Sequence, residues 1–201
     1  MALKFAVNNS LSDVTSLPTA IPTGSMTLLQ TQTASSSASV EFTTGIDSTY
    51  DVYKFVVLNA HANTDFVGLN FTGSTNAGSS YGVTKTTTAF NARHTEDGTG
   101  SGLAYNTNGD LAQSTSSQRF IMYAMGNGAD ENVCGEMYLY NPSSTTFVKH
   151  FMIKSIQNDK DNQADNSFFA GYFNTTSAIN AIKFEITSGT FDGVIKLYGV
   201  S

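Results

Sequence analysis

The sequence predicts an all-β fold: an antiparallel β-sandwich of the jelly-roll type over residues 26–201, preceded by an extended N-terminal arm over residues 1–25. Several short runs alternate two sets of side chains with a period of two, as strands require. Clusters of Gly, Asn and Ser, which suit turns, separate these runs. No long window has the period of a helix, so a sandwich of short strands is the fold class that the pattern favours.

The N-terminal segment differs from the rest of the chain in its irregular pattern, and it contains two of the three prolines, Pro18 and Pro22. Proline fixes its own φ and biases the residue before it toward an extended backbone. We therefore expect residues 1–25 to form an arm that docks on another protein, and a terminus that packs on its own domain is the alternative. The opening residues Met1–Val7 are too short for the apolar part of a signal peptide.

The clearest strand signal lies at Asp51–Leu58. Tyr53, Phe55 and Val57 share one face there, and all three are apolar, so they should point into the core. The same kind of alternation predicts further strands at Gln118–Met125, Gly135–Tyr140, Phe147–Ile153, Phe168–Phe173, Lys183–Ile186 and Val194–Tyr198.

Three stretches between these strands carry different signals. Thr175–Ile179, which follows an asparagine, is predicted to be a short helix. Glu96–Ser117 and Gln157–Asn166 consist mostly of small or polar residues and are predicted to be long loops. Loops of that length are usually mobile or functional.

Two of the predicted strands, Gln118–Met125 and Phe168–Phe173, are apolar on both faces. A two-layer sandwich leaves one face of each sheet in water, so such strands need a second cover. That cover is either a loop of the same chain, such as Glu96–Ser117, or another subunit. Because a large exposed apolar patch usually marks an interface, we predict a homo-oligomer.

Composition limits the classes of partner. The chain has 201 residues, a formal net charge of −6 and only 13% charged residues, so it lacks the clustered cations that bind nucleic acid. No run of about 18 apolar residues is present, so membrane insertion is not expected. The single cysteine, Cys134, cannot form an internal disulfide, and a free thiol suits folding in a reducing cytoplasm.

Several stretches resemble a family of structural virion proteins of marine tailed bacteriophages, especially cyanophages. The resemblance lies in Met1–Ala6, Gln30–Val57, Asn141–Phe151, Gly171–Phe184 and Ile195–Val200. It implies a non-enzymatic subunit of the virion surface, either a fibre or knob protein or a capsid-decoration protein, made in the host cytoplasm. It also implies that the arm binds other virion proteins, that a trimer is the favoured oligomer, and that a glycan or protein of the host surface is a further partner.

No catalytic motif stands out, and no cofactor is expected. His61, His94 and His150 lie far apart without a metal-binding spacing. A glycan-binding or glycan-degrading enzyme of the virion is the alternative function, but a glycosidase needs two carboxyl groups that face one cleft. The candidates Glu41, Glu136 and Glu185 lie in or beside strands, and the spacing pairs none of them.

The acidic stretch Asn158–Asn166 contains the main candidates for a metal site, and the cluster of Asp130 and Glu131 beside Asn132 is a weaker one. Asp159, Asp161 and Asp165 alternate with other residues and could gather oxygen ligands around calcium. The stretch lacks the glycine and the closing glutamate of an EF-hand. A solvated acidic loop that binds no metal is therefore the main expectation.

Sugar binding has weak support, since the chain has no tryptophan. Tyr81, Tyr105 and Tyr123 lie near glycine-rich stretches and are expected to be packing or subunit contacts.

Overall fold

A computed structural model describes residues 26–201, and the predicted arm at residues 1–25 lies outside the described residues. The part of the chain that it describes is all-β, as predicted. Its twelve strands are β1 (Met26–Ser37), β2 (Ser39–Phe42), β3 (Val52–Ala62), β4 (Leu69–Ser74), β5 (Lys85–Thr95), β6 (Ser101–Tyr105), β7 (Gln118–Arg119), β8 (Val133–Tyr140), β9 (Lys149–Asn158), β10 (Gln163–Phe173), β11 (Ala181–Ile186) and β12 (Phe191–Val200).

The strands form two antiparallel sheets of unequal size, which confirms the predicted sandwich. The larger sheet has the order β1-β12-β3-β8-β9-β10-β5-β6, and the smaller has the order β2-β11-β4-β7. Four pairs of consecutive strands, β1 and β2, β3 and β4, β7 and β8, and β11 and β12, place one member in each sheet. The other four strands, β9, β10, β5 and β6, extend the larger sheet beyond β8.

The core between the sheets is aromatic and centres on Phe184 of β11. Its ring lies 5.5 Å from that of Phe55 and 5.9 Å from that of Phe120, and Phe42 and Phe71 lie at 6.3 Å. All five rings are fully buried. Burial of each such side chain contributes about 1.5–3 kcal/mol, so this cluster is a main source of stability.

The inner face of the extension is covered by an irregular segment, residues 120–125, instead of by a strand. Of the predicted strand Gln118–Met125, only Gln118–Arg119 is a strand. Of the following residues, Phe120, Ile121, Met122 and Met125 are buried. The backbone of the two end residues pairs with Leu69 and Val67. Side chains of the larger sheet satisfy two further backbone groups: Ser155 Oγ donates to the Phe120 carbonyl at 2.7 Å, and the Met122 N–H donates to Ser167 Oγ at 3.0 Å.

Neither predicted long loop is a simple loop. Glu96–Ser117 contains β6, and its remainder lies along β5, where the Thr87 N–H donates to the Leu111 carbonyl at 2.9 Å. Gln157–Asn166 is mainly strand, because β9 and β10 run up to a four-residue turn at 159–162.

The predicted helix at Thr175–Ile179 is wrong. Ile179 is fully buried, and its N–H donates to the Pro142 carbonyl at 2.9 Å instead of to a preceding turn of helix. Residues 26–201 contain no helix long and apolar enough to cross a membrane.

Candidate functional site

The outer face of the larger sheet, which points away from the core, carries most of the exposed large apolar side chains of the described residues. Met152 is 54% exposed, Ile156 47% and Phe90 44%. Strand alternation explains their position: inward neighbours such as Phe151 and Ile153 are buried, and the side chains between them point outward. We call this surface the outer apolar face, and we define it by Phe90, Tyr138, Tyr140, Met152, Ile156, Phe168 and Tyr172.

Strand register brings the members of the outer apolar face into contact. Phe168 of β10 lies opposite Phe90 of β5, and their rings stack at 4.8 Å with an angle of 9°. The rings of Tyr138 and Tyr140 lie 6.3 Å apart and nearly parallel. Aromatic pairs of this kind add to sheet stability, but they also leave flat ring faces in water.

Small side chains in the middle of the outer apolar face create a shallow groove. Met152 lies opposite Ala170, which in turn lies opposite Thr88. Tyr140 and Tyr172 line the same groove, whose volume is about 410 Å³. Because most of its lining atoms are apolar, the groove suits a packed apolar side chain better than a hydrated sugar.

Two lysines on this face contact its aromatic rings, and one of them also pairs with a carboxylate. Lys54 Nζ lies 2.5 Å from a carboxylate oxygen of Glu136 and 4.9 Å from the centre of the Tyr138 ring. Lys154 Nζ lies 5.8 Å from the centre of the Phe168 ring. The long lysine stems can cover apolar surface while their ammonium groups stay hydrated, so they do not prevent burial of the face.

The structure separates the three calcium candidates. Asp159 and Asp165 are fully buried, whereas Asp161 is exposed and lies 2.5 Å from Lys160 Nζ. Asp159 Oδ1 accepts the N–H groups of Asp161 and Gln163 and so closes the hairpin turn. Within residues 26–201, no group of three or more His, Cys, Asp or Glu side chains is placed to hold a metal ion.

Burial governs the protonation of these two carboxyl groups. It raises the pKa of Asp159, against the hydrogen bonds from the turn, and the charges of Asp161 and Asp165 raise it further. Burial also raises the pKa of Asp165, although hydrogen bonds from Ser167 and Asn91 and the charge of Arg93 oppose the rise. Both groups therefore hold their negative charge less readily than an exposed aspartate.

The glutamates weighed for glycan hydrolysis do not form an acid and base pair. Glu41 and Glu185 lie on the outside of the smaller sheet, and Lys183 lies opposite Glu41 and 2.7 Å from Glu185. Burial alone would raise the pKa of Glu185, but hydrogen bonds from Lys183 and Ser117 bring it below the usual value. A glycosidase acid needs the opposite shift. Glu136 lies on the other sheet and pairs with Lys54.

The remaining candidates are scattered. His61 lies 3.0 Å from the Gly128 carbonyl, and His150 lies beside Tyr172. Cys134 is half-buried and hydrogen-bonded to Asn59.

The tyrosines considered for sugar binding are equally dispersed. Tyr81 packs under Lys183, Tyr105 is 59% exposed on β6, and Tyr123 packs under Arg93. Burial and the charge of Glu41 raise the pKa of Tyr81 to about 12.

Sequence patterns located part of the outer apolar face. The predicted strand Phe168–Phe173 has two apolar faces, and Phe168 and Tyr172 on one of them do point outward. Phe90 was missed, because the run of threonines before it hides the alternation of β5.

Comparison of the chain with protein-family models, with curated protein sequences and with solved structures gave no match.

Proposed function

We propose that the chain is a non-enzymatic structural subunit of a bacteriophage virion surface, and that it assembles into a homo-oligomer through the outer apolar face. The observation that carries the proposal is the exposure of Phe90, Met152 and Ile156 on one continuous sheet face. Monomeric proteins rarely leave a large apolar patch in water, and a patch of this kind usually becomes a subunit interface. A trimer is the favoured state because virion fibres and knobs commonly have threefold symmetry.

The strand order supports the proposal at the level of the fold. We interpret the eight strands β1-β12-β3-β8 and β2-β11-β4-β7 as a jelly-roll core, and β9, β10, β5 and β6 as an extension of its larger sheet. Jelly-rolls are frequent in viral capsid and lectin domains. The likeness of fold supports a structural role.

The arm at residues 1–25 binds other virion proteins, and the sandwich faces outward, where a glycan or protein of the host surface is its further partner. Both placements, on a tail fibre or as capsid decoration, agree with this arrangement.

Particles purified from an infected culture whose virus encodes the chain test the proposal. We expect quantitative mass spectrometry to detect the chain in intact, nuclease-treated particles, since a structural subunit stays bound through purification. A few dozen copies or fewer per particle would assign it to fibres, and hundreds would assign it to decoration. Recovery of the chain only in the soluble fraction of the lysate would contradict the proposal.

The same particles test the arm. A virus that encodes the chain without residues 1–25 should produce a folded sandwich that is missing from the particles. The circular dichroism of the truncated protein is the control for folding, and full occupancy of the truncated chain in particles would contradict a docking role for the arm.

A further inference from the structure

A second exposed apolar surface lies at the edge of the larger sheet, on β6. All five residues of β6 are exposed, and Leu103 and Tyr105 are 74% and 59% exposed. Tyr105 lies opposite Phe90 of β5, and opposite residues of an antiparallel pair point to the same face. Tyr105, and Leu103 two residues before it, therefore border the outer apolar face. We call Leu103 and Tyr105 the β6 edge.

The β6 strand lacks the charges, the proline and the bulge that protect many edge strands. Ser101–Tyr105 contains no charged residue and no proline. Its register with β5 runs from Phe90 to His94 without a shift. Because exposed apolar edges associate with other chains, natural edge strands usually carry one of these protecting features. The β6 edge is therefore suited to contact with another protein surface.

A trimer with threefold symmetry needs two different surfaces that fit each other. In a cyclic trimer each subunit contacts the next through a heterologous interface, in which one patch meets another. The outer apolar face supplies one patch, with its groove of about 410 Å³ between Tyr140, Met152 and Tyr172. The second patch must be another exposed apolar surface of the same chain.

The β6 edge fits the second patch better than the other exposed apolar groups of the described residues. No other strand within residues 26–201 carries two large apolar side chains that are both more than half exposed. Phe66 is isolated, and Lys160 Nζ lies 3.9 Å from the centre of its ring. Phe147 is exposed but lies beside Tyr140, on the groove side of the contact.

The charges near the two patches are also complementary. Asp110 accompanies the β6 edge, because the Tyr105 hydroxyl donates to Asp110 Oδ2 at 2.6 Å. Among the residues that line the groove, His150 is the only ionisable side chain besides the tyrosines. The contact therefore brings a carboxylate to a groove without acidic side chains, so like charges do not oppose it.

We propose that the β6 edge of one subunit inserts Leu103 and Tyr105 into the groove of the next subunit, and that three such contacts close the trimer. The inference rests on the proposed assembly through the outer apolar face, and it names the surface that this face receives. The contact removes apolar surface of both patches from water, which is the main favourable contribution to association.

A charge at Leu103 tests the contact. Leu103→Glu should sediment as a monomer at micromolar concentration, an affinity loss of at least about tenfold, because the contact would bury an unpaired carboxylate. Leu28→Glu is the matched control: Leu28 is 51% exposed on β1, at the opposite edge of the same sheet, so this variant should remain a trimer. Circular dichroism checks that both variants are folded. A trimeric Leu103→Glu, or a monomeric Leu28→Glu, would overturn the inference.

Cysteine cross-linking in a Cys134→Ser background identifies the two surfaces that meet. Leu103 and Ala170 are two strands and four residues apart in their own subunit, because Ala170 lies opposite Thr88 and Leu103 lies opposite Ala92. That separation is too long for a disulfide within one chain. The chain with both Leu103→Cys and Ala170→Cys should form covalent dimers and trimers on mild oxidation. Each single variant should stay monomeric on a non-reducing gel.

The cross-linking outcomes separate this inference from the proposed function. A covalent dimer of Leu103→Cys alone would contradict the inference, because two β6 edges would then meet each other. A doubly substituted chain that sediments as a trimer without cross-linking would also contradict it. That result would assign the groove to another occupant, such as residues 1–25 of a neighbouring subunit, and would leave assembly through the outer apolar face standing. A wild-type chain that sediments as a monomer would overturn both.

Discussion

Two buried lysines are the most unusual residues of the sandwich. Lys85 of β5 and Lys149 of β9 are both fully buried, and they lie opposite Phe173 on either side of β10. Backbone carbonyls accept hydrogen bonds from both ammonium groups. Lys85 Nζ donates to the Val83 carbonyl at 2.9 Å, and Lys149 Nζ donates to the Phe147 carbonyl at 2.7 Å. Burial lowers the pKa of Lys85 to about 8, and it also lowers the pKa of Lys149.

The lowered pKa of Lys85 predicts how stability depends on pH. Between about pH 8 and the ordinary lysine pKa of 10.5, the unfolded chain binds more protons than the folded chain, so the free energy of unfolding rises with pH. We expect urea unfolding to give about 2 kcal/mol more stability at pH 9.5 than at pH 7. The Lys85→Met variant should lose most of this gain.

Lys160→Met is the control for that experiment, because Lys160 lies on the turn between β9 and β10, outside the core. Its gain between the two pH values should equal that of the wild type. A Lys85→Met variant that keeps the full gain would contradict the assignment to Lys85.

The irregular segment at residues 120–125 takes the place of a strand opposite the extension of the larger sheet. It fits because Gly135 of β8 has no side chain: a Cβ there would lie 2.9 Å from the Phe120 ring and 2.7 Å from the Lys154 carbonyl. The space that Gly135 leaves open is therefore part of the packing of Phe120.

Gly135→Ala should consequently destabilise the protein by about 1–3 kcal/mol, since neither the ring nor the backbone carbonyl can move away freely. Chemical denaturation of the wild type and the variant measures the difference. Gly102→Ala is the matched control, because a Cβ on Gly102 of β6 would meet nothing within 4 Å. Its stability should stay within about 0.5 kcal/mol of the wild type. Equal stabilities for the two variants would show that Gly135 is not a packing position.

Strands with an unbroken apolar face were predictable from the sequence, and strands with a polar inner face were not. In β3, Tyr53, Phe55 and Val57 point inward as predicted and are fully buried. The inner face of β10 instead includes Asp165 and Ser167, which bind Asn91 and residues of the irregular segment. Such polar positions have the same pattern as a solvent-exposed loop, so the sequence predicts a loop where the hairpin of β9 and β10 lies.

Contacts that depend on a local pattern could be predicted from the sequence, and contacts between distant strands could not. The second apolar face of Phe168–Phe173 signalled the outer apolar face, because its pattern is local. The hydrogen bond of Asn91 to Asp165 depends on the pairing of β5 with β10, and four other strands lie between these two in the chain. No local pattern contains that pairing.

The two sheets of the sandwich differ in size, and this difference determines which face of the larger sheet is left without a cover among the described elements. The smaller sheet and the two irregular stretches, residues 106–117 and 120–125, cover the inner face of the larger sheet. None of the described elements covers its outer face, where Met152 and Phe90 remain about half exposed. We therefore expect assembly to bury that face.

A double variant and a control variant test whether the outer apolar face is the subunit interface. Met152→Glu combined with Ile156→Glu places charges in the outer apolar face, and this should dissociate the oligomer because buried charges need partners. Phe66→Glu is the control, since Phe66 is 72% exposed but lies in the connection between β3 and β4. An oligomer that survives the double substitution would assign the interface to another surface.

Sedimentation equilibrium of the full wild-type chain at micromolar concentration measures directly whether the chain assembles. The chain has a mass of 21.4 kDa, and we predict a species of three times that mass, held together by the outer apolar face. A single species of 21.4 kDa at all concentrations would contradict the account, because the apolar face would then be stable in water without a partner subunit.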